Sequence, residues 1–406
     1  MASHQVNDDE LEATAPDTSD DTPAEAAVRA EVRPWMEAHG ARFGPGTGHQ
    51  QMPDSDDFVS SARAWQAELD SGGWGAPAWP TAFGGRGYGP SEVRVVKQEE
   101  LRFDVPAGAF HVALNMVGPT IMQFGTDDQK GRFLDGMRRG EHLWCQLFSE
   151  PDAGSDLASL RTRAVRDGDE WVVDGQKVWT SGARYADWGI LLARTDPDAP
   201  RHAGITYFLV DMRTPGIEVR PLVQINRAAH FNEVFLREVR IPAENVLGGV
   251  GEGWAVARAT LGAERMMIGS ISMSDRLDRI IAQARTSGLL ESPVTRDRMV
   301  DAWIRSTLVT WTGDRVAHAM RHGGEIGPEA SVIKLSLSRL MEQLGEVAIE
   351  ALGPDGMLEG VGPEGYGDLQ DQFLSQWSSR IGGGTEEIQR NLIAERALGL
   401  PRDPGR

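Results

Sequence analysis

Three short clusters and one helical glutamate carry the chemistry-bearing residues of this chain. The first is Phe148-Ser149-Glu150-Pro151-Asp152-Ala153-Gly154-Ser155-Asp156, where turn formers expose backbone N–H groups and two hydroxyls beside an apolar run. A ring system with polar edges, such as a flavin or a nucleotide, would suit it, although taken alone an ordinary loop is the better explanation. The second is Trp179-Thr180-Ser181-Gly182. Its tryptophan could stack on an aromatic cofactor while the hydroxyls bond the cofactor's edge. A core tryptophan on a half-buried sheet is the commoner case. The third is Arg380-Ile381-Gly382-Gly383-Gly384-Thr385-Glu386-Glu387-Ile388-Gln389-Arg390. Three glycines before a Thr cap and two acids give a tight backbone approach running into a helix start, where donors can cradle a phosphate or a carbonyl oxygen. A structural helix start explains the Thr and the acids but not three consecutive glycines. Finally, Trp254, Ala257, Leu261, Glu264 and Ile268 recur at helical spacing, which sets Glu264 on an apolar face. A carboxylate there is partly desolvated and its pKa raised, as a general base requires. A snorkelled or Arg-paired glutamate fits the same spacing.

The elements that must position these residues read as helices, then strands, then helices. Residues 1–25 are acidic, lack Lys and Arg, and are expected to form a disordered tail. From 26 to 142 the pattern is helical, with Thr126-Asp127-Asp128-Gln129 as a capping box, Gly140 as a terminator, and a glycine-rich loop at 72–90 anchored by its aromatics. Between 143 and 250 the period becomes alternating. Asp174-Gly175 between two β-prone runs predicts a type I′ hairpin turn, and further strands are expected at 188–193, 206–210, 217–221 and 233–235. Several short strands at this spacing suggest a small β-barrel or sandwich. Residues 251–402 return to long helices, giving an α+β multi-domain chain.

With 406 residues, the chain is long enough for two or three packed subdomains. Its formal charge of -19 argues against binding a phosphate backbone. One cysteine, Cys145 in an apolar run, excludes a disulfide framework and reads as a small buried hydrophobe. The nine histidines lack metal-ligand spacing, so no metal is expected. No apolar run reaches the ~18 residues of a membrane span, and the N-terminus lacks signal-peptide features, so a cytoplasmic protein is expected. The glycine-rich stretches around Gly85 and Gly249 break the dinucleotide fingerprint, and no Walker, HExxH or GxSxG motif occurs.

Together the three clusters, in this order, make the chain resemble the acyl-CoA dehydrogenase family from about residue 26 to 401. The resemblance implies an N-terminal helical domain, a central β-barrel domain and a C-terminal four-helix bundle, with FAD between the last two and subunits pairing through the bundle. Carried over residue by residue, it implies that Phe148, Ser149 and Ser155 line the flavin and the thioester site. Trp179 would pack against the isoalloxazine, with Thr180 alongside and Ser181 near N5. Gly384, Thr385 and Glu387 would contact FAD phosphate or ribose. Arg285 falls in a motif that reaches the neighbouring subunit's FAD, here without its phenylalanine, and Gly353 falls in a second cofactor-binding motif, which has Glu350 where the family has glutamine.

In many members the base immediately precedes the Gly-Thr of the third cluster, where this chain has Gly383. Branched-chain and long-chain members instead place it before an arginine, matching Glu264-Arg265. The resemblance thus makes Glu264 the catalytic base, with Ser155, Arg265 and Gly383 at the substrate. It implies α,β-desaturation of an acyl-CoA with a branched or bulky acyl group, and an electron-transferring flavoprotein or similar acceptor. A homodimer or homotetramer is expected, with an α2β2 heterotetramer as in some actinobacterial members, some of which act on steroid side chains. Two other readings compete: a same-fold flavoenzyme acting on a carrier-protein thioester or as an oxidase, and a non-catalytic or half-site subunit of a heteromer.

Overall fold

The computed structural model describes residues 21–43, 55–269, 274–321, 327–358 and 366–402; side chains 264–269, 274–275, 317, 320–321 and 366–368 are left aside. The first 20 residues of the acidic tail lie outside the described residues. Asp21 to Glu25, counted with that tail, are instead ordered at a helix start. Thr22 caps α1 (Pro23–His39) in a reciprocal box with Glu25, and Asp21 pairs with Arg29 at 2.6 Å.

The N-terminal region adds α2 (Asp56–Ser71), α3 (Pro90–Glu100), α4 (Gly118–Phe124) and α5 (Asp127–Arg138). The Thr126–Gln129 box caps α5 as expected, and Gly140 follows it at φ +75. In the glycine-rich loop Trp74 and Trp79 are both buried, and Trp79 donates its indole N–H to the Leu114 carbonyl at 2.8 Å. Glu99 of α3 is fully buried between Arg29 and Arg33 of α1 and Arg102, at 2.7–2.8 Å.

The middle region is one seven-stranded sheet: β1 (Trp144–Leu147), β2 (Arg163–Asp167), β3 (Glu170–Ser181), β4 (Trp188–Arg194), β5 (Ile205–Asp211), β6 (Ile217–Leu222) and β7 (Phe231–Pro242). Its order is β1-β4-β2-β3-β7-β6, with β5 also on β4. Its core holds Cys145, Leu147, Trp171, Val173, Phe208 and Val234. Burial pushes the Cys145 thiol far up and leaves it inert.

The expected Asp174-Gly175 turn is not a turn. Residues 170–181 form one strand, and the chain reverses six residues earlier, at Gly168-Asp169, with Gly168 at φ +60. Asp174-Gly175 is a bulge against β7: the Asp174 carboxylate accepts the N–H of Glu238, itself at φ +50. Gly175 serves close approach, because a Cβ there would stand 2.3 Å from the Thr162 hydroxyl.

The C-terminal region packs α6 (Gly253–Gly269), α7 (Ser274–Thr286) and α8 (Pro293–Arg321) on the central α9 (Glu329–Leu352). Then follow α10 (Tyr366–Ser375), α11 (Ser378–Ile381) and α12 (Glu386–Leu392). Leu340, Leu344, Val347 and Ala348 of α9 form the spine of this core. α6 also belongs to a second core, where Val256 and Ala257 meet Val117 and Ile121 of the N-terminal region and Tyr207 of β5. That helix therefore joins all three regions. No described helix is long and apolar enough to cross a membrane.

Candidate active site

The first two clusters meet. The N–H of Val178, one residue before Trp179, donates to the Ser149 carbonyl at 2.9 Å. Beneath them Lys177, fully buried, donates to the Phe148 carbonyl at 3.0 Å and to the Glu150 carboxylate at 2.8 Å. Glu150 also accepts the N–H groups of Arg161 (2.6 Å) and Thr162 (2.9 Å). Burial pulls Lys177 down to about 8 against the opposing pull of Glu150. Burial alone would raise Glu150, but Lys177 and the two N–H groups hold it below the usual carboxylate range. This pair clamps the Ser149 turn to β3, and the sequence reading missed it. One signal was available: Lys177 shares odd parity with the inward residues Trp171 and Val173, and a lysine on an inward face demands an acid.

The same parity puts Trp179 inside, yet it is 61% exposed. A second register shift between Lys177 and Thr180 turns it outward, with its backbone at φ +60. A left-handed tryptophan is a strained outlier of the kind found at functional sites. Its ring stands edge-on to Phe231 at 6.1 Å. Thr180 takes the inward place, and no described residue bonds its buried hydroxyl or the side-chain oxygen of the facing Asn232. Ser149 and Ser181 are half-buried, and no described residue bonds their hydroxyls. Phe148 is buried edge-on to Tyr207 at 5.7 Å. An exposed aromatic face flanked by two unengaged hydroxyls fits one side of a flavin ring. Ser155 lies on the exposed outer turn.

In the third cluster the fold accounts for two of the three glycines. Gly383 and Gly384 sit at φ +66 and +93, and a Cβ on Gly384 would stand 2.5 Å from the Gln389 amide. That amide donates to the Gly383 carbonyl at 3.1 Å. Thr385 caps α12 by accepting the Ile388 N–H, while Glu387 is exposed. Glu386 is buried and paired with Arg380 (3.0 Å) and Arg390 (3.2 Å), so it staples the two sides of the loop. Trp377, Arg380, Ile381, Thr385, Glu386 and Glu387 border an open depression of about 240 Å³.

Glu264 and Arg265 lie in α6, but their side chains fall outside the described residues. The face expected to carry Glu264 is apolar where it is described: Ala257 is buried, and Trp254 and Leu261 pack on the same core. Arg285 is exposed on the last turn of α7. Gly353 ends α9 at φ +56, ψ -136, a conformation for glycine alone. Neither belongs to the Trp179 group; α7 and α9 pack on each other. Glu350 is engaged by Arg298 and by the Thr295 hydroxyl at 3.3 Å. Among the described residues no His/Cys/Asp/Glu group could hold a metal ion.

Comparison with known proteins matches three family models in order: the acyl-CoA dehydrogenase N-terminal domain over residues 22–141, the middle domain over 145–239 and the C-terminal domain over 251–398. Acyl-CoA dehydrogenase IpdE1 of Mycobacterium tuberculosis is 39% identical over 393 residues, covering 92% of this chain and 97% of that protein. The solved Tcur3481-Tcur3483 steroid ACAD superposes with a TM-score of 0.83 at 29% identity, over 94% of this chain and 99% of that one. The ChsE4-ChsE5 complex from Mycobacterium tuberculosis gives a TM-score of 0.79 at 27% identity, with the same coverage of both chains.

Proposed function

This chain belongs to the acyl-CoA dehydrogenase family, and on that premise we propose that it desaturates the Cα–Cβ bond of an acyl-CoA thioester bearing a branched or polycyclic acyl group, with FAD as cofactor. The observation that carries this reading is Trp179, turned out of its sheet in a strained backbone next to the residue that bonds the Ser149 turn. Trp179 would hold the isoalloxazine, with Phe148, Ser149, Thr180 and Ser181 along its edge. Gly384, Thr385 and Glu387 would meet its phosphate or ribose end. FAD, when bound, supplies the acceptor for the hydride that leaves Cβ.

The chain's own residues do the rest. The Glu264 carboxylate takes the α-proton, and the electron pair of that C–H bond becomes the new double bond. The Gly383 N–H donates to the thioester oxygen as it gains enolate character, and Ser155 and Arg265 flank the substrate. Support for a bulky acyl group comes from the missing side chain at Gly383 and from likeness to a steroid ACAD. An electron-transferring flavoprotein or similar acceptor would reoxidise the cofactor. We divide the chain at residues 142 and 250, a division supported by the limits of the matched domains.

The test is anaerobic titration of the purified protein with a panel of acyl-CoAs while flavin absorbance is followed. Bleaching is expected, strongest with branched or polycyclic substrates. A yellow protein that no acyl-CoA bleaches overturns the reading. A heteromeric assembly is the second reading, favoured because the ChsE4-ChsE5 structure is a two-chain complex. FAD uptake only on co-expression with a second dehydrogenase-like chain would select it.

A further inference from the structure

The N-terminal region carries a polar pair that the reading above does not use. His111 and Asn115 lie one turn apart, and the Asn115 amide N–H donates to His111 Nδ1 at 2.9 Å, which leaves the imidazole proton on Nε2. No described residue takes that Nε2–H. The imidazole is hemmed in by protein, yet solvent still reaches it, and Asn115 beside it is exposed. Burial first, then the nearby Lys97 charge, push His111 down to about 4 against the pull of Glu100, so the ring is neutral at neutral pH. Lys97 and Glu100 are engaged with each other at 2.8 Å, and the Trp65 indole N–H takes the other Glu100 oxygen at 2.8 Å. The result is a fixed, uncharged N–H donor.

Its place in the fold ties it to the reaction. A π-helical turn, Val112–Val117, starts at the next residue, and such turns recur at functional sites. This turn and α4 pack on α6, touching where the Thr120 and Thr260 hydroxyls meet at 3.1 Å. Helical rise sets His111 about 13 Å before Thr120 and Glu264 about 6 Å beyond Thr260 along two packed helices. Donor and base thus stand on two helices that pack directly on each other.

Resting on the function proposed above, we propose that His111, its tautomer set by Asn115, is a specificity-determining residue that donates from Nε2 to an oxygen on the far part of the acyl group, a ketone or a carboxylate. The enzyme would then select oxygenated polycyclic acyl-CoAs over their hydrocarbon counterparts. The test uses the holoenzyme with three matched probes: 3-(decalin-1-yl)propanoyl-CoA, its ring-keto analogue and its ring-carboxy analogue. An oxygenated probe is expected to show a KM about tenfold below the hydrocarbon, with a much smaller difference in kcat, as one hydrogen bond allows. A keto preference assigns a neutral acceptor and a carboxy preference an anionic one, and either supports the proposal. His111→Phe should bring the KM ratio to within about twofold while FAD content stays at the parent value, and His111→Gln, which keeps a donor, should retain part of the ratio. Equal KM for all three probes in the parent enzyme overturns the proposal while leaving the dehydrogenase reading intact. So does a parallel change for all three probes in His111→Phe, the mark of a merely structural residue. If the parent enzyme's flavin is bleached by none of them nor by any other acyl-CoA, both readings fall together.

Discussion

Trp179 holds a backbone conformation that disfavours a bulky residue by about 1–3 kcal/mol, and its ring gains no core packing in return. Such an expense without local benefit fits a residue kept for a ligand. Trp179→Gly removes both the strain and the ring. Apo-protein stability in chemical denaturation should therefore hold within about 1 kcal/mol, because relieved strain offsets the added chain entropy. The Kd for FAD should rise at least about fivefold, since an aromatic stacking face is worth roughly 1 kcal/mol or more. Unchanged FAD affinity would make the ring's exposure incidental. Glu264→Gln keeps shape and hydrogen bonding but removes the proton acceptor. FAD should still bind, while the single-turnover rate of anaerobic flavin reduction falls by about 10²–10⁴. A near-parent rate would place the base elsewhere. Moving the carboxylate to Gly383 is not a free exchange, because that backbone sits at φ +66, where any side chain adds strain.

At the scale of elements, the site depends on the clamp between β3 and the turn at Ser149. Glu150→Gln leaves Lys177 buried with no counter-charge, a change that typically destabilises by about 3–5 kcal/mol. Adding Lys177→Met should recover most of that loss, because a buried pair replaced by apolar groups is often near neutral. If Glu150→Gln unfolds at the parent's denaturant midpoint, the clamp is not structural. The pH sign follows from the Glu150 shift. Its folded pKa lies below the ordinary 4.5, so its contribution is complete above pH 4.5 and is lost as pH falls through the lower folded value. The parent and Glu150→Gln stability curves should therefore converge on acidification. What the sequence made legible divides along the same line. The Thr126 box, the anchoring tryptophans and the order of helices and strands depend on neighbours in sequence, and they were readable. Asp174-Gly175 reads as a turn because its reasons for being a bulge, Thr162 and Glu238, come from distant segments. Trp179 was readable as a motif residue, but its outward turn was not, since one bulge reverses the alternation on which any parity count rests. The glycine run was explained in part only by Gln389 folding back on it.

For the whole molecule, the C-terminal bundle is more apolar outside than one chain requires. Met299, Ala302 and Val309 of α8 face the core, while Val300, Trp303, Ile304, Leu308 and Trp311 recur at helical spacing on its opposite face and are 44–61% exposed. A helix apolar on both faces is normally buried on both. The family resemblance has subunits pairing through this bundle, and α8 is where such pairing would bury the most. The same helix supplies Thr295 and Arg298, which hold Glu350 close to Gly353, a position matched to a cofactor-binding motif of the family. Assembly and cofactor retention should therefore be coupled through α8. Trp303→Glu combined with Trp311→Glu puts two carboxylates on the stripe without touching the inner face. Light scattering on the eluting protein should show the parent as an oligomer and the variant at a lower mass, with far-UV circular dichroism unchanged. FAD content per chain should drop with the mass, even though Trp179, Ser149 and Ser181 remain intact. A variant of parent mass means that α8 is not the contact. A lower mass with full FAD content means that each chain completes its own cofactor site, and that Arg285 and Gly353 serve only the chain that carries them.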